Sequence, residues 1–144
     1  MKQKLARWLL TRFGWRLEGA KPQCPRYVLI AAPHTSNWDF PLMLLFAAAF
    51  DIKVTWMAKH SLFWPPVGWI MRAMGGMPIE RHRSTNVVDA MVGAFGRMQE
   101  LVLVVPTEGT RARAEAWKSG FYHIALQAQV PIVPSFLDFG QRRG

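Results

Sequence analysis

Short apolar runs alternate with longer stretches of helical character along the whole chain. Tyr27–Ala32 (YVLIAA) is a continuous apolar run closed by Pro33, the pattern of a strand covered on both faces. The polar turn His34–Asp39 leads into the uncharged run Phe40–Phe50. That run falls short of the roughly 20 residues a bilayer span takes, so it reads as a buried helix. Ile52–Met57 (IKVTWM) is rich in β-branched residues and reads as a second strand. Pro65 and Pro66 break the next stretch, an apolar helix follows them, and Gly75 and Gly76 end it. Met77–Glu80 is a short strand candidate. Ser84–Glu100 reads as a helix with a polar start, weakened by Gly93 and Gly96. Leu101–Val105 (LVLVV) is the clearest strand. Glu108–Glu115 is a polar loop, Ser119–Ala128 a helix and Pro131–Phe136 (PIVPSF) a last strand. The predicted fold class is α/β, a single domain with a largely parallel or mixed sheet covered by helices. In such sheets ligands gather at the carboxyl ends of the strands. His34–Asp39 and Glu108–Arg111 both fall just past one.

The N-terminus differs from the rest. Met1–Leu17 carries Lys2, Lys4, Arg7, Arg12 and Arg16 with no acid before Glu18. Leu5, Trp8, Leu9 and Phe13 recur at helical spacing and predict one apolar stripe. Arg7 and Arg12 leave too short an uncharged stretch for a cleaved signal. An interfacial amphipathic helix fits, with Trp and the cations meeting anionic lipid. An ordinary surface helix docked on the core is the alternative. Residues 1–18 are thus expected to form a basic helix. Residues 19–25, with Gly19, Pro22, Cys24 and Pro25, form a linker, and residues 26–144 form the domain.

Composition sharpens this picture. The 144 residues hold 18 Lys and Arg against 9 Asp and Glu, a net charge of +9, while 51% are hydrophobic and only 19% charged. The apolar share excludes intrinsic disorder, and the length suits one domain. The lone Cys24 excludes an internal disulfide and a cysteine-based metal cluster. A chain that is apolar and basic together points to an anionic membrane surface before nucleic acid. The basic residues are spread over termini and loops, without zinc-finger, RNP or P-loop spacing, so no nucleic-acid partner is expected.

Three polar constellations could carry chemistry. His34 and Asp39 stand five positions apart. On a continuous helix they would diverge by about 140°, but on a turn entering a helix they can meet. A carboxylate on one imidazole nitrogen makes the other a better base, able to deprotonate an alcohol. The alternative is plain helix capping by Thr35, Ser36 or Asn37 with Asp39 at the positive helix end. Thr107-Glu108-Gly109-Thr110-Arg111 follows LVLVV and can offer backbone N–H groups and a guanidinium to a phosphate, or can be an ordinary turn. Gly76–Arg81, followed by His82 and Arg83, is either an anion site or a solvated charge run.

Together these segments resemble the glycerolipid acyltransferase family, of the lysophosphatidic acid (1-acylglycerol-3-phosphate) acyltransferase, PlsC-like type. Its H-x4-D block is matched by His34 and Asp39, and its G-x-x-x-x-R-like block by Gly76–Arg81. Its P-E-G-T-R block is matched by Glu108-Gly109-Thr110-Arg111, and its V-P-[IV]-x-P stretch by Val130–Pro134. Ala58-Lys59 and Lys118 with Gly120 are smaller matches, and the blocks run in order over roughly residues 26–138. The chain departs from the pattern where Thr107 replaces the usual Pro and Ala112 a common Ser. Neither change removes a charged group, so altered turn geometry is the most expected. The chain also stops soon after the fourth block, so a domain cut short at its C-terminal end is one expectation.

The resemblance implies a reaction of phospholipid biosynthesis. A fatty acyl group passes from a thioester, acyl-CoA or acyl carrier protein, to a hydroxyl of a lysophospholipid or related glycerol-phosphate acceptor. It assigns His34 as general base and Asp39 as its orienting partner, with Arg81, Glu108, Gly109, Thr110 and Arg111 binding the acceptor. The thioester is a co-substrate, and no bound cofactor or metal is implied. The enzyme would work peripherally on the cytoplasmic face of a membrane. Two rival readings remain at this level: a thioester or ester hydrolase using the same pair, though no G-x-S-x-G elbow is present, and a non-enzymatic basic module binding membrane or nucleic acid.

Overall fold

The structure, a computed structural model, describes residues 1–80, 84–108 and 115–144. Five strands form one sheet: β1 (Arg26–Ala31), β2 (Val54–Lys59), β3 (Gly76–Ile79), β4 (Leu101–Pro106) and β5 (Ile132–Ser135). Their order is β3-β2-β4-β1-β5, and every pairing is parallel. The helices are α1 (Lys2–Arg12), α2 (Asp39–Ala49), α3 (Val67–Ala73), α4 (Ser84–Arg97) and α5 (Gly120–Ala128). The α/β expectation holds, element for element. The continuous apolar strands have the reason foreseen for them: both faces of the sheet are covered. Leu101 and Leu103 of β4 pack with Met91 and Phe95 of α4 and Ile124 of α5. The alternate residues Val102 and Val104 pack with Ala47 of α2 on the other face.

The topology follows from two crossovers that leave in opposite directions. From β1 the chain passes over one face through α2 to β2. From β4 it passes over the opposite face through α5 to β5. Strands β1 and β4 are direct neighbours, with Arg26 opposite Leu101 and Ala31 opposite Pro106. Right-handed crossovers then place the two connections on opposite faces. A crevice opens between the carboxyl ends of β1 and β4, the switch point where open α/β sheets bind ligands.

Helix α1 packs against α2, and its docking face is not the stripe that periodicity suggests. Ala6 and Leu10 are buried against Phe46 and Ala49, whereas Leu5, Trp8 and Phe13 are exposed. Small Ala6 lets the helices approach closely, and the larger groups turn outward. Gln3 Nε2 and Arg7 Nε donate to the Ala49 carbonyl at 3.2 and 3.0 Å, satisfying a free acceptor at the end of α2. After α1 the chain is tied to the far terminus: Arg16 N–H donates to the Arg142 carbonyl and Glu18 N–H to that of Gly144, both at 2.8 Å. Among the described residues no helix is long and apolar enough to cross a membrane.

Gly75 closes the α3–β3 turn at φ +90°, a conformation L side chains rarely adopt, and a Cβ there would collide with the Val54 carbonyl oxygen. Gly75→Ala is expected to destabilise the fold by about 2 kcal/mol or more. A lowered urea midpoint with an unchanged m-value is the measurement that checks this.

Candidate active site

Beyond β1 the chain runs without regular structure through residues 32–38, and Asp39 opens α2. This break lets a His and an Asp five positions apart come together. His34 Nδ1 lies 2.9 Å from Asp39 Oδ2. The same oxygen accepts the backbone N–H groups of Thr35 at 2.8 Å and Ser36 at 2.9 Å. The capping expected of Thr35, Ser36 or Asn37 does not occur, since Trp38 is the N-cap and no side chain caps α2; instead Asp39, in the first turn, gathers the donors of the preceding turn and lies against the imidazole. Its charge lies in the first turn of α2, where the helix dipole favours an anion. Ser36 adds to the turn by accepting the Trp38 N–H at 3.1 Å.

Burial divides the pair by role. Asp39 is 8% exposed at its side chain and His34 25%. The Asp39 carboxylate lies on the Nδ1 side of the ring, so Nε2 is the nitrogen left to take a proton from outside. Asp39 Oδ1 is buried without a partner among the described residues, so all the bonds recorded for this carboxylate converge on Oδ2. Asp39 can thus fix the imidazole's tautomer and stabilise it when it is protonated.

The pair lines a cavity of about 950 Å³, near the upper end of ordinary small-molecule pockets. Val104 and Val105, which alternate between the sheet faces, both line it, so the cavity wraps the carboxyl edge of β4. It continues along α2 past Met43 and Ala47 to Phe50. From Asp39 to Phe50 that is about 16 Å at helical rise, an apolar channel leading away from the histidine.

Of the other expected site residues, Glu108 stands past the end of β4, half-buried and apart from the cavity lining. Arg81, Gly109, Thr110 and Arg111 lie outside the described residues. Thr107, at the position that departs from the family pattern, is fully buried, and its hydroxyl has no partner among the described residues. Its carbonyl accepts the Lys118 N–H at 2.8 Å. That bond fastens the chain before α5 to the end of β4 and sets Lys118 at the cavity. Lys118 and Ser135, whose Oγ donates to the Ile30 carbonyl at 2.9 Å beside β1, line the cavity without having been singled out as site residues. Only a lesser motif match pointed to Lys118. No group of three His, Cys, Asp or Glu among the described residues could hold a metal ion.

Comparison with known proteins gives a consistent result. Residues 17–138 match the family model described as Acyltransferase. The 1-acyl-sn-glycerol-3-phosphate acyltransferase of Salmonella typhimurium is 30% identical over 132 residues, covering 85% of this chain and 52% of that protein. The human 1-acyl-sn-glycerol-3-phosphate acyltransferase beta is 34% identical over 130 residues, covering 85% and 46%. The chain spans about half the length of the curated relatives it matches. The crystal structure of the 1-acyl-sn-glycerophosphate (LPA) acyltransferase PlsC from Thermotoga maritima superposes with a TM-score of 0.63 at 24% identity, covering 92% of this chain and 54% of that one. This likeness supports the fold.

The geometry separates the two side chains in their effect on stability. Asp39→Ala strips the acceptor from Thr35 and Ser36 and is expected to cost about 2–3 kcal/mol. His34→Ala, at a partly exposed position, is expected to leave the thermal midpoint within a few degrees of the parent. Thermal unfolding of the two variants followed by circular dichroism checks the contrast.

Proposed function

The chain belongs to the acyltransferase family, and on that premise we propose that it transfers a fatty acyl group from an acyl thioester to the hydroxyl of a lysophospholipid or related glycerol-phosphate acceptor. The observation that carries the reading is the His34–Asp39 pair at 2.9 Å beside an apolar cavity at the topological switch point. A base alone would suit many reactions; a base at the head of an apolar channel suits a reaction on an acyl chain.

In the proposed reaction His34 Nε2 takes the proton of the acceptor hydroxyl as its oxygen bonds to the thioester carbonyl carbon. Asp39 stabilises the imidazolium that forms. The tetrahedral intermediate collapses, the carbon–sulfur bond breaks, and the proton passes from the imidazolium to the departing thiolate. The acyl chain occupies the channel along α2. Arg81, Glu108, Gly109, Thr110 and Arg111 are proposed, by their motif positions, to bind the acceptor head group, the arginines suiting bidentate phosphate contacts. The donor is acyl-CoA or acyl carrier protein. The outward stripe of α1, with Leu5, Trp8 and Phe13 among Lys2, Lys4 and Arg12, is proposed to meet an anionic bilayer on its cytoplasmic side, as a peripheral contact.

Purified protein supplied with a labelled acyl thioester and a panel of lyso-acceptors is expected to yield acylated lipid. Thioester loss that is equal with and without acceptor would instead mark a hydrolase. His34→Ala is expected to lower transfer by about 10²–10⁴-fold, and near-normal transfer by this variant would remove His34 as the base. Ala47 faces the channel about 12 Å along α2 from Asp39. Ala47→Phe is expected to lower kcat/KM for long-chain thioesters by about tenfold or more relative to short-chain ones, read from competition between donors of different length.

A further inference from the structure

The segment joining β2 to β3 holds large apolar groups in water. It leaves the carboxyl end of β2 through a short turn of 3-10 helix, His60–Leu62, and returns through α3. Which side faces inward is decided by packing. Phe63 is buried with Trp56 and Ala58, and Met71 packs on the same cluster. Gly68 sits so close to the Phe63 backbone that a Cβ would collide with its carbonyl oxygen, and Gly68 N–H donates to the Trp64 carbonyl at 2.7 Å. The Arg72 guanidinium stacks 5.2 Å from the centre of the Phe63 ring. With these groups turned inward, Leu62, Trp64, Trp69 and Ile70 turn outward, at 48%, 58%, 67% and 59% exposure. Four large apolar side chains exposed within nine residues of one segment mark a candidate contact surface.

Three further observations indicate what covers it. The surface is flanked by exposed Lys59, His60 and Arg72, and no acidic residue occurs from Ile52 to Ile79. Tryptophan beside cations is the composition that seats at the headgroup level of an anionic bilayer. Trp38, between His34 and Asp39 in the chain, is itself 70% exposed, so the turn that carries the pair presents a further tryptophan to the outside. The segment also flanks α2: Phe63 and Met71 pack with Phe40 and Met43, while α1 meets the same helix through Ala6 and Leu10. Helix α1 and this segment thus both pack on α2, at different residues.

We propose that the β2–α3 segment is a bilayer-docking surface, inserting Trp64 and Trp69 at the headgroup level of an anionic membrane so that the cavity beside His34 opens toward lipid. The proposal rests on the acyltransferase reading only for the lipid nature of the substrates. Its test reads membrane binding rather than catalysis.

The full chain is co-sedimented with vesicles of phosphatidylcholine mixed with phosphatidylglycerol. Trp64→Ser combined with Trp69→Ser is expected to lower the partition coefficient by about tenfold or more. A Trp64→Phe, Trp69→Phe variant, which keeps the apolar surface, is expected to bind while losing much of the fluorescence quenching that brominated lipids cause in the parent. Both positions are exposed, and an unchanged circular dichroism spectrum verifies folding. Partitioning of the serine variant equal to the parent overturns the proposal, and so does quenching unaltered in the phenylalanine variant. Transfer to a water-soluble short-chain acceptor is the companion measurement. Its retention in the serine variant supports a docking role, and its loss with vesicle binding intact overturns one. A parent that binds vesicles through these residues but transfers no acyl group leaves the docking surface standing and removes the acyltransferase reading.

Discussion

The parallel pairing of β1 with β4 is the constraint on which the rest depends. Parallel neighbours cannot be joined by a tight turn, so each must send its chain over a face of the sheet. From β1 it leaves over one face and from β4 over the other. The His34–Asp39 pair lies at the start of the connection that leaves β1. Three features of the candidate site gather at the carboxyl ends of these two strands: the His34–Asp39 pair, the tie from Thr107 to Lys118 and the cavity between the layers.

The cavity alters what α2 is for. Phe40, Met43, Ala47 and Phe50 recur at helical spacing and line an open channel. The same row also reaches the sheet, where Ala47 packs with Val102 and Val104 and the Phe40 ring meets Trp56 edge-on at 4.6 Å between centres. Helix α2 is held in part from its other sides, by Ala6 and Leu10 of α1 against Phe46 and Ala49 and by the edge contact of Trp15 on Phe46 at 5.7 Å between ring centres. The N-terminal helix therefore has a structural task whatever its outer stripe meets. It braces the helix that carries Asp39 and the cavity-lining row.

Much of this was legible from residue order. LVLVV and YVLIAA read as covered strands because a strand with both faces buried has no polar alternation. Their helical partners followed from Phe40–Phe50 and Ser119–Ala128. The His-x4-Asp spacing pointed to a turn entering a helix, since on one helix the side chains would diverge. The face by which α1 docks on α2 was not legible. Leu5, Trp8, Leu9 and Phe13 form the stronger pattern, but Ala6 and Leu10 make the contact. Periodicity ranks residues by hydrophobicity, whereas docking selects positions where a small side chain lets two backbones approach. The channel along α2 was hidden for the opposite reason: Leu42, Leu44 and Leu45 are as apolar as the lining residues, so no contrast marked the row.

Sequence by itself determined the element order, the α/β class and the histidine–aspartate motif, because these depend on local periodicity and on spacings of a few residues; that every strand pairing is parallel came from the structure. Tertiary structure alone decided that one oxygen of Asp39 serves both the turn and the imidazole. It decided that the space beside them is an open channel, and that Trp64 and Trp69 face water while Phe63 between the strands does not. Those outcomes depend on which surfaces of distant segments fill the same volume, and that information is carried by no single stretch of the chain.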